Sequence, residues 1–141
     1  KVLSSAISVA LAQRLVRKLC TACKKERLAT APEQALIDRY IKDIVDRTLI
    51  AENTKVIFEA KEGGCPECRG RGYRGRIGIF EAIFMDRAIE EILRSKPSER
   101  EIADAAKPQG IPTMQQDGVI KVLRGITSLD ELGRVVDLEL V

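Results

Sequence analysis

The chain contains no histidine. That absence excludes Ser-His-Asp and Cys-His catalysis, histidine-ligated metals and histidine-based pH switching within these residues. No apolar run approaches the roughly 20 residues that cross a bilayer, so no transmembrane segment is expected. No secretory leader is visible. A G-x-x-x-x-G-K-S/T phosphate loop is missing, and so is a G-x-G-x-x-G run opening a helix after a strand. Low-complexity linkers are absent, and the only internal repeat is a paired cysteine motif. A net charge of +3 is too small to argue for a nucleic-acid partner by itself.

What is present suits one domain, or one lobe of a larger protein: 141 residues with an ordinary apolar share and a high charged share. That length buries a real core, so a metal is not required merely to offset small size. The chain opens on Lys1, in what reads as the middle of a helix. The expectation is an excised portion whose N-terminal part is missing. Without targeting signals, the chain reads as cytosolic.

Residues 2–19 read as a helix. Leu3, Ile7, Leu11, Leu15 and Leu19 recur at four-residue spacing, with Val2, Val9 and Val16 alongside. A second helix follows Pro32, over 33–46, with Leu36, Ile37, Tyr40, Ile41, Ile44 and Val45 as its apolar stripe. Val56-Ile57-Phe58 reads as a strand; Ile77, Ile79, Phe80, Ile83 and Phe84 suggest another. The two are expected to pair antiparallel across the loop between them. The last third is helical. A helix over 86–94 precedes three capping boxes, at Ser98–Glu101, Thr113–Gln116 and Ser128–Glu131, and Gly125 stops the helix before the third. The fold class is therefore α+β, predominantly α: helices, a short antiparallel β-hairpin and a four-cysteine zinc knuckle.

The chemistry lies in the cysteines. Cys20-Thr-Ala-Cys23 and Cys65-Pro-Glu-Cys68 are two C-x-x-C units, and the chain has no other cysteine. Such a turn lets both sulfurs face one point, and two turns supply a closed tetrahedral shell of four thiolates. Soft thiolates favour zinc, which brings no redox chemistry. A full shell leaves no place for water, so the ion is expected to be structural. Binding of this kind supplies ~10–16 kcal/mol in isolated zinc-finger peptides. The segment between the pairs, Lys24 to Gly64, is longer than in a usual zinc ribbon and contains the second helix. The ion would thus clip a folded excursion. Gly70 and Gly72 permit φ > 0 and would aim backbone N–H groups at the thiolates. Lys24, Lys25, Arg69 and Arg71 would offset the negative cluster. Disulfides, free buried thiols and a thioredoxin-like redox pair are the competing readings. The last needs a βαβ context that the sequence lacks, and disulfides fit a cytosolic chain poorly.

Arg69, Arg71, Arg74 and Arg76 surround Tyr73. Basic residues interleaved with an aromatic can form a nucleic-acid surface. One tyrosine is a thin stacking platform, and Glu62 and Glu67 lie close by, so no nucleic-acid partner is expected. Aspartates and glutamates are plentiful but scattered over helix faces. Nothing here constitutes an active site by itself.

The run from Ala12 to Cys23 resembles the tetracysteine region of the type II secretion and type IV pilus assembly ATPases. So does the run from Gly64 to Glu81. In the tail, Met114, Asp117-Gly118, Lys121-Val122-Leu123, Gly125-Ile126-Thr127-Ser128 and Glu131 sit where that family has them. The resemblance covers nearly the whole chain. It implies a cytoplasmic, hexameric P-loop ATPase that acts at an inner-membrane platform protein and drives assembly of pilins or pseudopilins. It further implies that residues 1–141 are a single C-terminal lobe. Within that lobe, 1–19 would be a helix joining the missing core, 20–76 a zinc-binding subdomain on Cys20, Cys23, Cys65 and Cys68, and 77–141 a strand with C-terminal helices. The partners would be the protein's own ATPase core and the neighbouring subunits. ATP and Mg²⁺ would bind only in the missing part, so the chain alone would not be catalytic. Arg14 and Arg17 would face either the missing core or solvent. An alternative reading is a zinc-dependent protein- or nucleic-acid-binding module, because C-x-x-C-x-G-x-G also resembles the cysteine-rich region of DnaJ-type chaperones. That region carries the glycines in four repeats; here only the second pair does.

Overall fold

The computed structural model describes residues 6–138. Strand β1 (Val9–Leu19) pairs antiparallel with a later strand, β4 (Tyr73–Phe84), as a long two-stranded ribbon. Val9 lies opposite Phe84, and Val16 opposite Ile77. This corrects the helix expected over 2–19, of which residues 2–5 lie outside the described residues. A spacing of four fits the strand's period of two as well as a helical turn, so the pattern does not distinguish them. The partner decides, because β4 offers β-branched and aromatic side chains across the ladder. The leucine stripe is not the core face either. Leu11 and Leu15 are 61% and 49% exposed, whereas Val16 is fully buried. The register shifts between Arg17 and Leu19, and Leu19 is buried as well.

A second ladder joins β2 (Lys25–Leu28) to β3 (Val56–Glu59), with Lys25 opposite Glu59 and Leu28 opposite Val56. The expected pairing of the 56–58 strand with the 77–84 strand is therefore incorrect. The two ladders are nested. The first C-x-x-C turn carries the chain from β1 to β2, and the second lies on the way from β3 back to β4. Nesting brings the turns side by side, which no local sequence signal could specify.

Helix α1 (Ala31–Ile41) carries Pro32 in its first turn, as expected, but starts two residues before 33, where the Glu33 carboxylate accepts from the Thr30 N–H at 2.8 Å. It ends at Ile41 and not at 46. The Ile41 carbonyl accepts from the Ile44 N–H at 3.2 Å and from the Arg47 guanidinium at 2.8 Å, and Asp46 accepts from the Thr48 N–H to start a separate 3₁₀ turn, Arg47–Leu49. Ile44 stays buried past the helix end, while Val45 is 72% exposed.

Four helices follow: α2 (Arg87–Leu93), α3 (Glu99–Ala106), α4 (Met114–Leu123) and α5 (Leu129–Val135). The α+β reading holds. Asp86, Ser98, Thr113 and Ser128 accept hydrogen bonds at the four helix starts. At the end of α4, Gly125 takes φ +65°, with Ile126 N–H on the Lys121 carbonyl and Gly125 N–H on that of Val122, both 2.9 Å. These two bonds define a Schellman stop. Helix α4 is central, packing on α1, β3, β4 and α5. Ile37, Ile57, Ile79, Val119, Val122 and Leu132 meet there with almost no exposure. Each such side chain contributes about 1.5–3 kcal/mol of burial.

Candidate metal centre

Each cysteine is placed by the turn that carries it. Cys20 follows the last residue of β1, and its N–H donates to the Gly72 carbonyl at 2.9 Å. The N–H groups of Cys23 and Lys24 fold back onto the Cys20 carbonyl at 3.2 and 2.9 Å, closing the first turn. The second turn is a 3₁₀ segment, Pro66–Cys68, whose proline presets φ. Arg69 leaves it in the left-handed region at φ 53°.

These turns bring all four predicted residues together. Every pair of the sulfurs of Cys20, Cys23, Cys65 and Cys68 lies within 4.8 Å. Cys20 Sγ is 3.8 Å from Cys65 Sγ, and Cys23 Sγ is 3.9 Å from Cys68 Sγ. A disulfide needs about 2.05 Å, and all four are free thiols, so the disulfide reading does not fit. A tetrahedral shell with metal–sulfur bonds of about 2.3 Å has edges of about 3.8 Å. The donor set therefore matches a thiophilic divalent ion in both chemistry and size.

The N–H hydrogen bonds to the sulfurs come from the backbone. Cys65 and Gly72 donate to Cys68 Sγ at 3.1 and 3.2 Å. Gly72 does so at φ +72°, as its glycine predicts. Burial is the strongest influence on Cys68 and opposes ionisation, but these donors bring its thiol down to about 6. Cys23 lacks them. Burial, followed by hydrogen bonding to Cys65, pushes its thiol up to about 12. Four thiolates this close repel one another strongly unless a cation sits between them.

Of the flanking cations, Lys24 does not serve the cluster as expected. Lys24 turns away, donating to the Gly125 carbonyl at 2.8 Å and lying 4.4 Å from the centre of the Phe58 ring. It anchors the Schellman stop to β3. Arg74 reaches Glu67 at 3.5 Å on the surface. Tyr73 is held internally, with Arg17 stacked 4.2 Å from its ring centre and its hydroxyl 2.7 Å from Ser128 Oγ.

Two features of the site escaped the sequence reading. Gly64 lies where a Cβ would meet the Gly70 carbonyl carbon at 2.5 Å and Cys68 Sγ at 2.7 Å. The Gly63-Gly64 doublet before Cys65 was the available signal. The other is a brace on β1. Arg17 pairs with the buried Glu131, Arg14 donates to the Val135 carbonyl, and Thr127 Oγ1 donates to the Arg17 carbonyl at 2.8 Å. Both arginines thus fasten the strand before Cys20 to α5. The third capping box is correspondingly half-formed. Ser128 accepts from the Glu131 N–H, but the Glu131 carboxylate serves Arg17.

A nested pair of ladders, a four-thiol cluster at their junction and the helices that follow define a cysteine-clipped α+β protein. The chain belongs to the Type II/IV secretion system protein family, which matches residues 1–134. It is 36% identical over 133 residues to the Type II secretion system ATPase E of Vibrio cholerae, covering 94% of this chain and 24% of that protein. It is 38% identical to the Type II secretion system protein E of Pseudomonas aeruginosa, with the same coverage. Against the Type IV pilus assembly ATPase PilB of Pseudomonas aeruginosa it is 33% identical, covering 94% of this chain and 22% of that one. The chain thus spans about a quarter of the length of these relatives. Among the described residues, no helix is long and apolar enough to cross a membrane.

Proposed function

We propose that Cys20, Cys23, Cys65 and Cys68 bind one structural zinc ion, and that this lobe braces the C-terminal end of a secretion or pilus-assembly ATPase. The observation that carries the zinc assignment is the four-sulfur cluster, with every pair inside 4.8 Å. Its edges suit zinc–thiolate bonds, and four thiolates fill a tetrahedral shell with no position left open. The ion does no chemistry. It ties the β1–β2 turn to the β3–β4 turn, and so ties α1 to the central helix α4.

The motor assignment rests on family membership and on the named ATPase relatives. In this reading the whole protein is a cytoplasmic hexamer, peripheral at the inner membrane. It binds ATP and Mg²⁺ outside these residues, and contacts its own ATPase core, neighbouring subunits and a platform protein. Comparing ATP turnover and oligomer mass for the whole encoded protein and for residues 1–141 tests it. Turnover by a hexamer of the whole protein, with none from the lobe, is expected. Turnover by the lobe alone, or a whole protein without ATPase activity, would refute the assignment.

A further inference from the structure

Residues that the metal centre does not use line an open groove of about 840 Å³. It runs between the far end of the β1–β4 ribbon, the loop after α1, and α3. On the ribbon, Ala10 and Ala12 share one face with Glu81 and Ile83, and the two small side chains leave depth for larger ones. Ile102 and Ala106 of α3 line one wall, and Val45, 72% exposed, lines another. No residue of α3 is buried, so the apolar stripe of this amphipathic helix has no full partner in the fold. Short helices gain most of their stability from covering such a stripe.

The charge around the groove is one-sided. Asp43 and Glu99 stand exposed on different walls and form no ion pair among the described residues. Glu81, at the floor, accepts the Met114 N–H at 3.2 Å. The single lining cation, Lys107, is already on Asp104 at 2.6 Å. Pairing this groove with the same groove of a second copy would bring one acidic rim against another, and an anionic bilayer would be repelled in the same way. Complementarity favours a positively charged occupant with apolar side chains.

We propose that this groove docks a basic amphipathic segment of a protein partner. Leucine-like side chains settle on Ala10 and Ala12 against Ile102, while flanking lysines or arginines reach Asp43 and Glu99. Helix α3 gains the cover that its own fold withholds. This assignment does not depend on zinc.

Fluorescence anisotropy of the chain with two labelled peptides of identical leucine spacing tests it, one carrying lysines and the other glutamates. The lysine peptide should bind saturably and at least about tenfold more tightly. Asp43→Lys combined with Glu99→Lys should abolish that preference. Ile102→Ser should weaken the lysine peptide severalfold with an unchanged far-UV spectrum. The proposal fails if the lysine peptide does not saturate, or if its preference survives the double charge reversal. It also fails if sedimentation shows a dimer that Ile102→Ser dissolves, or if anionic vesicles bind and the lysine peptide does not displace them.

Discussion

Arg17 and Glu131 stand 114 residues apart in sequence and form one two-point clasp. The Arg17 Nε–H donates to Glu131 Oε2 at 2.8 Å, and the Arg17 backbone N–H donates to Oε1 at 3.0 Å. Burial is the largest influence on Glu131 and would raise its carboxyl, but the Arg17 bonds outweigh it and hold it below its ordinary value. The partners differ in exposure, with the Arg17 side chain 40% exposed and that of Glu131 7%. Arg17→Ala strands a buried carboxylate and uncovers Tyr73, so it should cost about 2–3 kcal/mol. Glu131→Gln leaves a cation that can reach water and should cost about 1 kcal/mol. Urea unfolding of both variants checks this order; equal losses would contradict it.

The glycine doublet separates backbone strain from steric closure. Both residues have positive φ, but a Cβ on Gly63 meets nothing within 4 Å, whereas one on Gly64 strikes Cys68 Sγ. Gly63→Ala should therefore cost about 1–2 kcal/mol and keep the metal. Gly64→Ala should lower metal affinity at least tenfold, because the sulfur must move. Competition with a chromophoric chelator measures both.

The legibility of the chain follows from the range of each interaction. Cys20, Cys23, Cys65 and Cys68 were readable because a C-x-x-C turn carries its own geometry. Pro32, Ser98, Thr113 and Gly125 were readable because caps act within one helical turn. Strand β1 was not, since Leu3, Ile7, Leu11, Leu15 and Leu19 satisfy two periods and only the distant β4 chooses between them. The end of α1 was hidden for a similar reason. Arg47 caps Ile41 from outside the helix, and the apolar pattern runs on to Ile44 and Val45. Lys24 was misplaced because its partners, Phe58 and Gly125, come from remote segments.

Acid should weaken the excursion between the two cysteine turns. Arg27 grips both Glu33 oxygens at 2.7 Å and outweighs burial, holding that carboxyl at about 2 rather than 4.5. The folded value lies below the unfolded one. The pair therefore stabilises fully above pH 4.5 and loses that contribution as the pH falls toward 2. Glu33→Gln should cost about 1–2 kcal/mol at neutral pH, with partial exposure limiting the effect. The gap between variant and parent should close near pH 2. Denaturation midpoints across that range check it; a gap independent of pH would count against the pair.

Removing the metal should loosen the molecule unevenly. Chelation should speed amide exchange in β2, β3 and the Pro66–Cys68 turn. The α4–α5 pair, whose core does not include the cysteines, should stay protected. Uniform exchange would mean that the ion holds up the whole fold and not the clip alone.

The central claim concerns four sulfurs and one ion. Elemental analysis of the purified chain, alongside titration of its reactive thiols, tests it directly. About one zinc per chain is predicted, with the thiols masked until a chelator is added and the zinc lost when any of the four cysteines becomes serine. Protein free of zinc, with four titratable thiols or with disulfides, would contradict it.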